Sequence, residues 1–166
     1  YSEGCLHIIS PSNSLGEFLY SQRYNFWKSA IPLSNPDQII LDTTSPKIPD
    51  QKYFGREDQS QWCYFYEKAD LARQHKDWPE TIQNYQDAEM NGFKPLIDSE
   101  WLPLLEAFLN TKEYDKAMDL TLKVINHDPV NVAGFCQLWD SGVDDENVLP
   151  FKEEIINWLN CRALYD

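Results

Sequence analysis

Residues 62–92, WCYFYEKADLARQHKDWPETIQNYQDAEMNG, decide the fold. Trp62, Phe65 and Ala69 follow one another at spacings of three and four residues, which places them on one face of an α-helix. The pattern predicts a helix over about residues 57–75.

A second helix is predicted after Asp77. The Asp77 side chain can cap the first turn, Glu80 can reach back to the Asp77 amide, and Pro79 is tolerated there. Asn91-Gly92 ends this helix. Four more helices are predicted: one capped by Asp98 or Ser99, one near 114–126, one near 130–139, and a terminal one that starts at Pro150 with Phe151, Ile155, Trp158 and Leu159 on one side.

The predicted helices repeat at an interval of 36 residues, which separates Trp78 from Tyr114. Residues 57–131 resemble two tetratricopeptide repeats. The resemblance is carried by the second copy, which follows the family pattern at Trp101, Leu104, Phe108, Tyr114, Ala117 and Pro129. The first copy departs from the family at Lys68, where leucine is expected, and at Phe93, where proline is expected. The interval is also about two residues longer than the family's 34. The alternative is a generic helical bundle.

The resemblance implies a mainly α fold, a short array of antiparallel helix pairs over residues 56–166 with a C-terminal capping helix. Residues 1–55 are predicted to form a small section of one or two strands packed on the array. Five prolines in the first fifty residues discourage helix there. Residues 5–9 and 38–41 are short apolar runs that favour strands.

Composition excludes several classes of function. The 166-residue chain has 14 Lys and Arg against 27 Asp and Glu, a net charge of −13. A nucleic-acid binder needs clustered cations, and an anionic membrane surface repels such a chain. We therefore expect neither a nucleic-acid partner nor direct insertion into a membrane.

Residues 4–9, 61–73 and 77–78 resemble the soluble C-terminal region of bacterial polytopic membrane proteins that are similar to glycosyltransferases using lipid-linked sugars. The chain also begins at Tyr1 rather than Met, which indicates a piece of a longer protein. The resemblance implies an extracytoplasmic domain, tethered to the membrane through the parent chain. A cytoplasmic location is the alternative.

No catalytic residue, cofactor site or metal site is predicted. The sequence has no glycine-rich phosphate loop, nucleophile elbow or zinc-protease helix. His7, His75 and His127 stand apart from other ligand residues, and Asp144-Asp145-Glu146 lacks the ligand spacing of a calcium loop. We therefore expect this chain not to be an enzyme, although a parent protein could be one.

The cysteines form no zinc-type pair. We interpret Cys5, Cys63, Cys136 and Cys161 as four buried free thiols. A disulfide is admissible in an extracytoplasmic domain, where Cys5–Cys63 would join the first strand to the first helix.

A partner-binding groove is predicted on the first helix of each pair, on the side away from the buried face. Its residues are Tyr66, Asp70 and Arg73 on one helix and Leu102, Glu106 and Leu109 on the next. Such a groove would accept a basic or neutral extended segment. The alternative is that the N-terminal section or the terminal helix fills it, which would make these residues intramolecular core.

The function that these features favour is a non-catalytic protein–protein interaction or scaffolding domain. Its partner would be a protein or peptide, or other parts of the parent membrane protein. The alternative is an accessory domain of a membrane glycosyltransferase that holds an acceptor or a glycan, with exposed aromatic rings to stack on sugars.

Overall fold

A computed structural model describes residues 4–6, 29, 31–33, 50–125, 132–141 and 149–164. Seven α-helices lie in these residues. They are α1 (Gln51–Phe54), α2 (Trp62–Gln74), α3 (Trp78–Met90), α4 (Leu102–Asn110), α5 (Tyr114–Ile125), α6 (Val132–Ser141) and α7 (Leu149–Trp158). Short 3₁₀ helices cover Ile31–Leu33, Asp98–Trp101 and Cys161–Leu164.

The helices α2 and α3 form the first antiparallel pair. Thr81 of α3 lies beside Ala69 of α2, its hydroxyl 3.4 Å from the Ala69 carbonyl, and Tyr85 lies one turn further on, against Trp62. Ala69 has no exposed surface, so the two backbones approach closely at this small residue. The predicted start of α3 is confirmed in part. Asp77 accepts a hydrogen bond from the Glu80 amide at 3.2 Å, but the Glu80 carboxylate bonds to Asn84 instead of reaching back.

The second pair, α4 and α5, repeats the first after 36 residues. Trp78 and Tyr114, which the 36-residue interval relates, are the first residues of α3 and α5, and both are partly buried. The turns also match, because Lys76 and Lys112 both adopt positive φ, 59° and 62°. The amide after each lysine donates to a carbonyl five residues back, at 2.9 Å in both turns. The repeat therefore extends to the backbone of the turns.

The start of the second pair differs from the prediction. Neither Asp98 nor Ser99 caps an α-helix, because residues 98–101 form a 3₁₀ turn and α4 begins after Trp101 with no side-chain cap. Pro103 in the first turn of α4 lacks an amide hydrogen, so one fewer donor needs a cap there.

The helices α6 and α7 cover the end of the array. Trp139 of α6 is fully buried, and its indole donates a hydrogen bond to the Thr121 hydroxyl of α5 at 2.9 Å. The predicted apolar side of the terminal helix is half wrong. Ile155 is buried, but Phe151 and Trp158 are 46% and 48% exposed.

Two disulfides contradict the interpretation of the cysteines as free thiols. Cys5 is bonded to Cys63 and Cys136 to Cys161, with Cα atoms 5.2 Å and 5.6 Å apart. These separations are typical of disulfides. Tertiary packing brings Cys5 next to Cys63 of α2, and Cys136 of α6 next to Cys161 of the last 3₁₀ helix, so the four cysteines form two bonds rather than four separate thiols.

The N-terminal section is described only in part. The Cys5–Cys63 bridge ties Gly4–Leu6 to α2, and neither Cys5 nor Leu6 lies in a strand. The remainder of the predicted strand at 5–9 and the whole strand at 38–41 fall outside the described residues. The division at residue 55 stays a prediction. Across the residues that the structure describes, no helix is both long enough and apolar enough to span a bilayer.

Candidate functional site

The apolar residues of the predicted groove do not face solvent. Tyr66, Leu102 and Leu109 are 4%, 0% and 2% exposed, and all three belong to the hydrophobic core. A partner cannot reach side chains with so little accessible surface. The predicted partner groove is therefore wrong for these residues, and the alternative of an intramolecular core describes them.

The polar residues of the same set form a buried ion-pair network between α2 and α4. Arg73 donates to Asp70 at 2.8 Å and to Glu106 at 3.0 Å, and Gln74 donates to the other Asp70 oxygen at 2.9 Å. Burial opposes the charge of Arg73, but the two carboxylates outweigh it and raise its pKa. Such pairs favour one arrangement of the two helices more than they add stability. Arg73 and Asp70 are buried and form a structural link that a partner cannot reach, whereas Glu106 is partly exposed.

An open cleft lies elsewhere, between α3 and α5 and over α4. Its volume is about 820 Å³, within the range of ligand sites. We call it the aromatic cleft and define it by its rings, Trp62, Tyr85, Phe93, Trp101 and Phe108, and by its charged rim, Glu89, Lys94, Asp98, Lys116, Asp119 and Lys123. Leu104 of α4 and Leu120 of α5 complete the apolar floor.

Trp101 is the central ring of the aromatic cleft. Tyr85 stacks on it with centroids 6.2 Å apart and planes 23° apart, and Trp62 packs on Tyr85 at 5.4 Å. Trp62 and Tyr85 are buried, whereas Trp101 and Phe93 are partly exposed. The cleft therefore presents a partly exposed indole on a rigid stack of buried rings.

Two lysines of α5 stand over rings of the cleft floor. The ammonium of Lys123 lies 5.1 Å from the Trp101 centroid, and that of Lys116 lies 5.6 Å from the Phe108 centroid. The two lysines are seven residues apart along the chain, and so are the two rings, a separation of about 10.5 Å along a helix. These cation–π contacts are on the exposed rim, so each is worth about 0.5–1 kcal/mol and a ligand can replace it.

The rim of the aromatic cleft is electrically balanced. Three lysines and three carboxylates line it, in a chain whose net charge is −13. The cleft is therefore less negative than the chain as a whole, and it offers both donors and acceptors around an apolar floor. A ligand with a neutral or mixed-charge surface fits this distribution.

A buried carboxylate holds the rings from beneath. Glu100 is 2% exposed and accepts hydrogen bonds from the Trp62 indole at 2.6 Å, from the Leu96 amide at 2.8 Å and from the Cys5 amide at 2.8 Å. Its backbone carbonyl accepts a further hydrogen bond from the Tyr85 hydroxyl. We call this set the Glu100 network. It fixes both buried rings of the stack.

The N-terminal segment Gly4–Leu6 closes the other side of the Glu100 network. A Cβ atom on Gly4 would lie 2.8 Å from Ile97 and 3.3 Å from the Glu100 carboxylate, so only glycine fits without displacing a neighbour. Burial raises the pKa of the Glu67 carboxyl, and a hydrogen bond that the Leu6 backbone donates to Glu67 lowers this pKa by a smaller amount. The segment is thus attached by a disulfide, two hydrogen bonds and a close contact.

Sequence reasoning missed the aromatic cleft. It used Trp101 and Phe108 only as positions of the tetratricopeptide pattern, whereas the structure buries Phe108 and leaves Trp101 partly exposed in the cleft. The available signal was the shared spacing of seven residues between Trp101 and Phe108 and between Lys116 and Lys123. Glu100 carried no signal, because a glutamate is expected at the surface.

The part of the chain that is described contains no candidate metal site. Within it, no group of three or more His, Cys, Asp or Glu side chains is placed to hold a metal ion. No protein-family model, curated protein or solved structure matches this chain. Both resemblances therefore remain predictions.

Proposed function

We propose that this chain is a non-catalytic interaction domain and that a segment of a partner protein binds in the aromatic cleft. The observation that carries the proposal is the partly exposed Trp101, seated on buried rings between two charged helical walls. Aromatic anchors in a concave, rigid site are the common centres of protein recognition. The balanced rim then sets the orientation of the bound segment.

The shape of the aromatic cleft favours a peptide. Its walls are the sides of two helices, α3 and α5, and its floor runs from Trp101, directly before α4, to Phe108 of α4, about 10.5 Å. Three residues of an extended chain span that length. A bound peptide would place an apolar side chain against Trp101, and its polar neighbours would bond to the charged residues of the rim.

A binding role suits the charged groups better than a catalytic one. Glu89, Lys116, Asp119 and Lys123 are exposed on the rim rather than enclosed. General acid–base catalysis depends on shifted pKa values in enclosed sites. The proposed domain therefore binds without chemistry.

The repeat of the helix starts at Trp78 and Tyr114 and of the lysine turns after 36 residues supports a tetratricopeptide-like array for α2–α5. Two disulfides support an extracytoplasmic location, because such bonds persist in oxidising compartments. We include both in the proposal, together with attachment to a larger bacterial membrane protein. A cytoplasmic domain is the alternative.

A second candidate function is the holding of a glycan. It is favoured by the partly exposed Trp101 face with carboxylates and lysines around it, because a sugar stacks its C–H face on an indole and bonds to polar groups through its hydroxyls. Parts of the parent protein could present either a peptide or a glycan.

The test is a selection of peptides from a displayed random library, followed by affinity measurements on variants. Trp101→Ala should weaken the selected peptides by more than about tenfold, as expected for a central aromatic anchor. Trp158→Ala, a change of the same residue type at an exposed site on α7, should leave affinity unchanged.

A second pair of variants separates binding from folding. Lys123→Glu reverses an exposed charge on the cleft, and Lys68→Glu reverses an exposed lysine that stands over Tyr64 on α2. We expect only the first to change the affinity, by about threefold to tenfold. Peptides that bind all four variants alike would contradict the proposal. Neutral oligosaccharides that bind in a Trp101-dependent way, with no peptide selected, would favour the glycan alternative.

A further inference from the structure

The two disulfides differ in their access to solvent. Cys5 and Cys63 are both partly exposed, whereas Cys136 and Cys161 are 0% and 2% exposed. Thiol–disulfide exchange requires a thiolate to reach one sulfur atom of the bridge. The folded chain therefore offers Cys5–Cys63 to a reductant and shields Cys136–Cys161.

The accessible bridge is connected to the aromatic cleft through a short series of contacts. Cys5 donates its amide to one oxygen of Glu100, and the other oxygen accepts the Trp62 indole. Trp62 is also the chain neighbour of Cys63, so it is held from two sides. Trp62 packs on Tyr85, and Tyr85 stacks on the partly exposed Trp101.

The disulfide is the one covalent cross-link between Gly4–Leu6 and the rest of the described residues. Without it, the segment is held by the Cys5 and Leu6 amide hydrogen bonds and by the contact of Gly4 with Ile97. Hydrogen bonds to charged groups contribute only modestly each, so a segment that they alone hold separates from the core more readily than one that is also held by a disulfide. When the segment separates after the bridge is opened, the Glu100 carboxylate loses the Cys5 amide, one of its three donors, and becomes open to water.

We infer that Cys5–Cys63 is the exchangeable disulfide of this chain and that its opening loosens the aromatic cleft. A dithiol reductant attacks one sulfur atom of the bridge as a thiolate and forms a mixed disulfide, which releases the other cysteine. The second thiol of the reductant then displaces the remaining cysteine thiolate from the mixed disulfide. The bridge gains two electrons and two protons to become two thiols, and the reductant becomes a disulfide. The consequence for ligand binding depends on the proposed function of the cleft.

The first part of the test compares the two bridges in the folded protein. Native protein is exposed to dithiothreitol, alkylated with iodoacetamide at intervals and analysed by peptide mass spectrometry. We expect alkylated Cys5 and Cys63 while Cys136 and Cys161 stay bonded. Simultaneous opening of both bridges, or earlier opening of Cys136–Cys161, would overturn the inference.

The second part measures hydrogen exchange of the indole N–H groups by NMR, with Trp62 assigned through Trp62→Phe. The double variant Cys5→Ser/Cys63→Ser should speed exchange at Trp62 by about tenfold or more, whereas Cys136→Ser/Cys161→Ser should not. Equal exchange at Trp62 in both double variants would overturn the inference. Wild-type protein reduced and alkylated at Cys5 and Cys63 alone provides the same comparison without substitution. Loss of the whole fold on that reduction would also overturn it.

A binding readout distinguishes this inference from the proposed function. The anionic aromatic dye 8-anilinonaphthalene-1-sulfonate is a suitable probe, since it combines fused rings for Trp101 with a sulfonate for the rim lysines. We expect Trp101-dependent binding in wild type that weakens in Cys5→Ser/Cys63→Ser. Trp101-dependent binding that is equal in the two double variants contradicts the inference alone. Dye and selected peptides that bind wild type and Trp101→Ala equally contradict the proposed function, while indole exchange still decides the coupling.

Discussion

The substitution Glu100→Gln tests whether the buried carboxylate organises the rings. The carboxylate accepts three N–H bonds of 2.6–2.8 Å, two at one oxygen and one at the other. A glutamine keeps one oxygen and points an NH₂ group at the remaining donor or donors. At least one charge-assisted hydrogen bond is therefore lost, about 1.5–3 kcal/mol, and a buried donor is left facing another donor. We expect a total cost of about 2–4 kcal/mol.

The assay is equilibrium unfolding in urea at neutral pH with both disulfides intact, analysed by linear extrapolation. Glu89→Gln is the control, because Glu89 is exposed on the rim and should change stability by less than about 0.5 kcal/mol. The Trp62 indole resonance should also move in Glu100→Gln. A stability of Glu100→Gln within about 0.5 kcal/mol of wild type would refute the organising role of this carboxylate.

Three further predictions concern the core. Ala117→Phe should cost about 1–3 kcal/mol in thermal unfolding, because Ala117 has no exposed surface where α5 meets its neighbours, and an unchanged melting temperature would argue against that packing. Thr121→Val should cost about 1–2 kcal/mol by removing the acceptor of the buried Trp139 indole, with a neutral effect counting against this bond. Burial raises the pKa of Tyr85 well above its ordinary value of about 10, so its contribution to stability is full below pH 10 and falls as pH rises toward the folded pKa. Absorbance titration should therefore find Tyr85 protonated until the chain unfolds, and ionisation of every tyrosine in the folded state near pH 10 would contradict this.

The sequence predicts the helical array well because its signals are local. Spacings of three and four residues indicate α2, and the Asp77 cap indicates the start of α3. The 36-residue interval then predicts the start of α5 at Tyr114 from the start of α3 at Trp78. The matching positive φ of Lys76 and Lys112 shows that the interval is also present in backbone conformation. No residue type marks that feature, since glycine is the usual choice at positive φ.

The site could not be predicted in the same way because it depends on what covers each helix face. Tyr66 and Leu102 belong to the predicted partner-binding groove, but neighbouring elements bury them. Glu100 is buried only because Cys5 and Trp62, far apart in sequence, bring donors to it. The disulfides likewise depend on tertiary placement, which spacing between cysteines does not reveal.

The most direct test of the central claim is NMR mapping of a selected peptide on isotope-labelled protein. The aromatic cleft predicts that the Trp101 indole resonance shifts on titration, together with the amides of Glu89 and Lys123 on the two walls. The exposed Trp158 indole on α7 should not move. Shifts at Trp158, with Trp101 and both walls unchanged at saturation, would contradict the assignment of the aromatic cleft as the binding site.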